Sequence, residues 1–151
     1  MNWDLLGIGA AISLAAVGSA LGTGTAGMAA VGAWKKCFAE NRPAPFILVA
    51  FVGFPLSQTI YGLLLMNALT DAAVSLQTPG YVFGAGILGG LAIGMSAWFQ
   101  GRAAAAASDA MGETGKGTGN YITVLGIIET VALLVMVFLL GTTSSVVALA
   151  G

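Results

Sequence analysis

Residues 121–140 read YITVLGIIETVALLVMVFLL, an apolar run that contains one carboxylate, Glu129. About 20 consecutive apolar residues are long enough to cross the hydrocarbon core of a bilayer as an α-helix. A carboxylate inside such a helix is costly unless a proton, a cation or a hydrogen-bonding partner neutralises it. Glu129 is therefore the first candidate for a functional residue in this chain.

The composition indicates an integral membrane protein. Of the 151 residues, 58% are hydrophobic and only 7% are charged, whereas about 25% of a soluble globular domain is charged. The net charge of −1 argues against nucleic acid as a partner. There is no His, which excludes the commonest transition-metal ligand and the usual proton shuttle. No motif suggests an organic cofactor or a bound nucleotide.

Four hydrophobic segments predict an all-α membrane protein with four transmembrane helices. The linkers between these segments are polar or rich in Gly and Pro, as turns are. We expect two helical hairpins, one in residues 1–75 and one in residues 76–151. The predicted transmembrane helices cover residues 5–36, 45–69, 81–110 and 120–143.

The basic residues predict how the helices are oriented. Lys35, Lys36 and Arg42 lie in the first linker and Lys116 in the third, while the second linker has none. Since positive charge favours the cytoplasmic side, the first and third loops should face the cytoplasm. Both termini should then lie outside the cell membrane.

Glycine is concentrated in alternate segments. Segments one and three hold seven and six Gly, whereas segments two and four hold two each. Gly86, Gly90 and Gly94 fall four residues apart, a spacing that lets helix backbones approach closely in lipid. We therefore expect helices one and three to pack tightly, and helices two and four to face lipid.

The two hairpins also repeat one another. A shift of 77 residues places Gly7 on Gly84 and Ser19 on Ser96, and a shift of 71 places Gln58-Thr59 on Glu129-Thr130. Because each repeat spans two helices, the duplicated hairpins should have the same orientation. Only the second repeat carries a membrane carboxylate.

A small set of polar residues is expected to meet at mid-membrane. Counting outward from the third loop places Gln100 and Glu129 at equal depth, and Gln58 falls near the same level. Ser57, Gln58 and Tyr61 share one side of helix two. The polar residues within the spans include Ser57, Gln58, Tyr61, Gln100, Glu129 and Thr130.

Pro55 is expected to interrupt helix two next to these residues. It removes a backbone donor and should free or tilt carbonyls around residues 51–54, as at the broken helices that line ion sites. A carboxylate, two amide oxygens, a hydroxyl and a carbonyl suit a hard cation such as Na⁺, whereas a proton needs fewer groups. In this arrangement Tyr61 can donate its hydroxyl to Glu129. Alternatively, the two glutamines only join helices through hydrogen bonds.

Three motifs resemble one known family. Residues 55–62 (PLSQTIYG), 99–102 (FQGR) and 128–130 (IET) are similar to the duplicated proteolipid of V-type ATPases, in particular the K subunit of bacterial V/A-type enzymes, including sodium-pumping ones. The resemblance covers essentially the whole chain. Ser57 stands where sodium-type relatives often have Thr. Serine also carries a hydroxyl, so this ligand is kept.

The resemblance implies a homo-oligomeric rotor ring in the cytoplasmic membrane, with helices one and three inside and helices two and four outside. A stator membrane protein would displace the ion from Glu129, and a central-stalk protein would bind the cytoplasmic loops. ATP would be hydrolysed elsewhere in the complex. The implied Na⁺ ligands are Ser57, Gln58, Gln100, Glu129 and the Phe54 carbonyl, with Tyr61 and Thr130 in support.

Three alternatives remain. The same ring could carry H⁺ instead of Na⁺, the chain could be a small stand-alone transporter with its substrate between the repeats, or it could be a purely structural proteolipid. Each makes a different prediction about Na⁺ dependence, oligomer size or the role of Glu129.

Overall fold

The chain is entirely helical over residues 3–75 and 79–150, which the computed structural model describes, apart from the short loops between helices. Four segments in these ranges are long and apolar enough to cross a membrane: Trp3–Ala39, Leu48–Val74, Gly80–Thr114 and Thr118–Leu149. The prediction of an all-α, multi-pass membrane protein with four transmembrane helices is confirmed. In chain order the elements are α1 (Trp3–Ala39), α2 (Leu48–Gly53), a 3₁₀ turn (Phe54–Leu56), α3 (Ser57–Ser75), α4 (Pro79–Thr114) and α5 (Thr118–Ala150).

The helices are longer than the hydrophobic segments predicted. The second span continues as helix to Ser75 rather than to residue 69, and α5 continues to Ala150 rather than to residue 143. Most of the predicted second loop, residues 70–80, is therefore helical, while its residues 76–78 lie outside the described residues. Hydropathy reports where the hydrocarbon ends, whereas a helix that satisfies its own backbone hydrogen bonds can continue into the polar interface.

Local backbone signals end the helices at the first and third loops. Asn41 has φ 52° just after α1, and Gly115 and Gly117 have φ 63° and 90° just after α4. These left-handed conformations are favourable for Gly and tolerated by Asn. The backbone N–H of Gly115 donates to the carbonyl of Met111 at 2.9 Å, which caps α4.

Helices α1 and α4 pack backbone against backbone. A methyl group built on Gly18 would overlap the backbone of Gly94, because no side chain separates the two helices there. The contacting residue numbers rise together along both helices, so α1 and α4 run parallel. The predicted close packing of the glycine-rich helices is confirmed. The glycine pairs in contact are Gly7–Gly86, Gly18–Gly94 and Gly22–Gly101.

The other two spans run antiparallel to this pair. Gly62 of α3 packs on Ala11 and Ala15 of α1. The Ser96 hydroxyl of α4 donates to the carbonyl of Ile128 in α5 at 2.8 Å. Both hairpins therefore point the same way, which is the geometry that a parallel duplication requires. Helices α3 and α5 also contact each other, as α1 and α4 do.

Polar contacts join the two hairpins near the first and third loops. Lys36 forms an ion pair with Glu113 at 2.5 Å, and the Arg42 Nη2 donates to the carbonyl of Gly112 at 3.0 Å. Exposed ion pairs of this kind contribute only about 0–1 kcal/mol. These contacts show that the first and third loops lie side by side at one end of the bundle.

Candidate functional site

The site begins at a break in the second span. Helix α2 ends at Gly53, a 3₁₀ turn covers Phe54–Leu56, and α3 resumes at Ser57. Pro55 causes the break because it has no N–H to donate to the carbonyl of Phe51. The Pro55 side chain is buried next to Gly22 of α1, where a larger residue would not fit. The interruption predicted at Pro55 is confirmed.

The break gathers three oxygen atoms from one short segment. The Ser57 hydroxyl donates to the carbonyl of Phe54 at 3.0 Å and lies 3.2 Å from the Oε1 of Gln58. A regular helix would direct the Phe54 carbonyl along its axis to a residue four positions later. Instead, the 3₁₀ turn places this carbonyl beside the hydroxyl and amide oxygens.

Two buried glutamines connect this segment to the second hairpin. The Gln58 Nε2 donates to the Oε1 of Gln100 at 2.7 Å, and both side chains are fully buried. The Gln100 Nε2 in turn donates to the carbonyl of Leu125 at 2.9 Å. The structure thus brings together the two amides that the sequence singled out, in contact across the helices.

Glu129 lies at the open end of this network. Its Oε1 accepts a hydrogen bond from the Tyr61 hydroxyl at 2.8 Å, and its Oε2 lies 3.5 Å from the Nε2 of Gln100. The ion pairs found in residues 3–75 and 79–150 involve only Lys36, Glu113, Arg42 and Glu40. Glu129 is thus held by neutral donors, and its charge is not matched by a basic side chain in this part of the chain.

The side chains of Gln100 and Glu129, which the sequence predicts to lie at equal depth, meet between α4 and α5, with Gln100 Nε2 3.5 Å from Glu129 Oε2. The same amide nitrogen donates to the carbonyl of Leu125, one turn before Glu129. Ser96, one turn before Gln100, donates to the carbonyl of Ile128. Equal depth of the two residues along their helices stays a prediction.

Thr130 is not brought to the polar cluster. Its side chain is exposed, and its hydroxyl donates to the carbonyl of Ile127 within the same helix at 2.7 Å. The sequence interpretation missed Ser96, whose hydroxyl fixes the carbonyl next to Glu129. The match between Ser19 and Ser96 in the repeat was the available signal. Serine is common in transmembrane helices, so this match alone could not identify Ser96 as part of the site.

The apolar surface around Glu129 and the nearby oxygen atoms determine which ions this site suits. Glu129 is half-buried, and the neighbouring residues on the outer face of α5 are large and apolar, including Ile127, Val131 and Leu134. An ionised carboxylate facing hydrocarbon is unfavourable. One carboxylate, one carbonyl, one hydroxyl and two amide oxygens are hard ligands that suit a small cation. The carboxylate alone can also take a proton.

Comparison with curated proteins gives no significant match for this chain. The family model for the C subunit of ATP synthase matches residues 83–140, which is less than half of the chain. The matched stretch covers most of α4 and the larger part of α5, and it contains Gln100 and Glu129, while Ser57, Gln58 and Tyr61 lie outside it. The hairpin that carries the membrane carboxylate is therefore similar to the C subunit of ATP synthase.

Proposed function

We propose that this protein is a rotor-ring subunit of a rotary ATPase and that it carries Na⁺ across the membrane on Glu129. The observation that carries the proposal is the hydrogen-bonded carboxylate at an apolar surface, with Tyr61 and Gln100 as its partners. Gln100 connects it to Gln58 and so to the oxygens of Ser57 and Phe54. The similarity of residues 83–140 to the C subunit of ATP synthase supports the same assignment. The V-type identity rests on the sequence motifs and on the four-span architecture.

The proposed coupling follows from the cost of charge in lipid. With a cation bound, Glu129 is effectively neutral and can face hydrocarbon. Without a cation, the bare carboxylate must stay at an aqueous or basic surface, which a stator protein would provide. Rotation then requires ion loading, so that ion movement and rotation are linked. The ATP-hydrolysing subunits and the central stalk would be other chains of the complex.

The ligand set favours Na⁺ over H⁺. A Na⁺ ion would be held by the Glu129 carboxylate, the Oε1 atoms of Gln58 and Gln100, the Ser57 hydroxyl and the Phe54 carbonyl. Binding would replace the present contact between Gln58 Nε2 and Gln100 Oε1. A proton needs only the carboxylate and one acceptor, so buried amides on two different helices would have no role in holding it.

Protection of Glu129 by Na⁺ is the direct test. A protonated carboxyl group adds to a hydrophobic carbodiimide, and a bound cation competes with that proton, so millimolar Na⁺ should slow the labelling of Glu129 in the purified protein several-fold. Choline at equal ionic strength should not. Labelled peptides measured by mass spectrometry identify the site. If labelling depends on pH but is unchanged by Na⁺, the ring carries protons and the sodium assignment is lost.

The size of the assembly distinguishes a ring from a small transporter. A rotor ring predicts a large oligomer that survives in mild detergent and carries many copies of Glu129. A stand-alone transporter predicts a monomer or dimer. Native mass spectrometry of the purified protein gives the copy number directly, and a monomer or dimer would contradict the rotor assignment.

Replacing Tyr61 with Phe is expected to weaken cation binding. The substitution removes the 2.8 Å hydrogen bond to Glu129 and leaves the carboxylate free to turn away from the other oxygens. A hydrogen bond to a charged group contributes about 1.5–3 kcal/mol, so the Na⁺ concentration for half-protection should rise roughly 10- to 100-fold.

Tyr121→Phe is the matched control for this prediction. Tyr121 packs edge-to-face on Phe51 with the ring centroids 6.2 Å apart, a contact that does not involve the hydroxyl. This variant should therefore bind Na⁺ like the unmodified protein. Equal affinities for the Tyr61 and Tyr121 variants would show that the tyrosine hydroxyl does not hold Glu129.

A further inference from the structure

Two hydroxyls on α1 differ from most helical hydroxyls in this chain. Across residues 3–75 and 79–150, Ser19 Oγ and Thr23 Oγ1 are among the few buried side-chain oxygens without a hydrogen-bond partner. Thr25 on the same helix instead donates to the carbonyl of Leu21, four residues earlier, at 2.7 Å. Ser19 and Thr23 do not form this bond with their own helix, although Ser19 is only 2% exposed.

Both hydroxyls lie beside the broken segment of the second span. Gly22, between them, contacts the side chain of Pro55. One turn before Ser19, Ala15 contacts Gly62 of α3. Since α1 runs antiparallel to α2 and α3, Thr23 falls level with the 3₁₀ turn and Ser19 falls near the level of Gln58.

The repeat indicates what these hydroxyls face. The 77-residue shift places Ser19 on Ser96 and Thr23 on Gln100, whose side chains donate to the carbonyls of Ile128 and Leu125. The 71-residue shift carries those two acceptors back to Ser57 and Phe54. The equivalent carbonyl for Thr23 is therefore that of Phe54, one of the proposed cation ligands.

A threonine cannot span the distance that a glutamine spans. The Gln100 side chain reaches its carbonyl directly, whereas the threonine at the equivalent position is shorter and ends without a partner. Leaving a buried hydroxyl unsatisfied costs about 1–3 kcal/mol. Buried waters commonly fill such gaps by bridging several polar groups.

Charge excludes a second cation as the bridging group. Residues 5–39 and 43–70 contain no Asp or Glu, and Glu129 is already bound to Tyr61. A cation among neutral hydroxyls and carbonyls would lack the carboxylate that compensates its burial. Water carries no such cost.

We propose that Ser19 and Thr23 hold a buried water molecule that donates to the backbone carbonyl of Phe54 and fixes its direction. Thr23 is thus a positioning residue that acts on the cation site through the water and the broken segment. The effect on cation affinity rests on the proposed function, whereas the water itself does not.

Thr23→Val tests the positioning role because valine keeps the shape and removes the hydroxyl. The Na⁺ concentration that half-protects Glu129 from a carbodiimide should rise about 3- to 10-fold, the effect of losing one hydrogen bond. Thr25→Val is the matched control and should leave this concentration unchanged, while Thr23→Ser should restore it. If the Thr23 and Thr25 variants bind Na⁺ equally well, the positioning role is refuted.

Density for the water provides the independent readout. A structure of the purified oligomer at a resolution that shows ordered water should place one molecule within hydrogen-bonding distance of both hydroxyls. Direct bonds from the hydroxyls to backbone carbonyls, with no density between them, would overturn the proposal. If unmodified protein shows no Na⁺ protection at all, the sodium assignment fails, and the density still decides whether the water is present.

Discussion

Glu129→Gln is expected to reduce ion-coupled ATPase activity of the assembled complex to background. Glutamine is nearly the same size and can keep the hydrogen bond with Tyr61, so the helix and the ring should persist. It has no negative charge to balance a cation, and it cannot take up and release a proton. Both versions of the rotor mechanism therefore predict the loss. Coupled activity is measured as ATP hydrolysis sensitive to a carbodiimide, and as ion uptake into vesicles.

Glu113→Gln is the control for that experiment. Glu113 is the exposed partner of Lys36 at the end of α4, so its removal also deletes one carboxylate from the same hairpin. An exposed ion pair contributes at most about 1 kcal/mol, and activity should stay close to that of the unmodified protein. If Glu129→Gln retained coupled activity, the chain would be a structural proteolipid rather than an ion carrier.

Much of the fold could be predicted because bilayers restrict the possible structures. Long apolar runs must be helices when no water is present to satisfy the backbone. The glycine rows identified the helices that pack backbone to backbone, as Gly18 and Gly94 do. Pro55 predicted the break because its missing N–H acts locally and does not depend on tertiary contacts.

The details that could not be predicted depend on side-chain rotamers and on how neighbouring helices interlock. The Gln100 amide donates to the carbonyl of Leu125 and lies 3.5 Å from the carboxylate of Glu129, and neither hydropathy nor periodicity encodes which partner it reaches. Thr130 neighbours Glu129 in sequence, yet its hydroxyl is satisfied by its own helix. Ser96, distant in sequence, lies next to the carbonyl of Ile128.

The glycine contacts and the candidate site depend on each other through Gly22. A Cβ atom at this position would contact the backbone of Ala97 in α4 and lie 2.9 Å from the Cβ of Pro55 in the broken segment. The missing side chain at Gly22 therefore lets α1 approach both α4 and the 3₁₀ turn closely. Gln58 on the segment after the turn meets Gln100 on α4 only because these elements approach so closely.

Gly18→Ala is expected to destabilise the folded chain strongly. The added methyl group would overlap the backbone of Gly94, and backbone atoms in two packed helices cannot move aside as a flexible side chain can. Overpacking of this kind costs on the order of 3 kcal/mol. The expected result is a large fall in the yield of folded oligomer and in the unfolding temperature measured by circular dichroism in detergent.

For Gly24→Ala on the same helix we expect no loss of stability. Gly24 is exposed in the chain, and a methyl group there meets no atom within 4 Å. Alanine stabilises a helix by up to about 1 kcal/mol relative to glycine, so this variant should unfold at the same or a higher temperature. Similar losses in both variants would mean that glycine in α1 serves helix flexibility. A loss confined to Gly18 shows that backbone contact with α4 holds the two hairpins together.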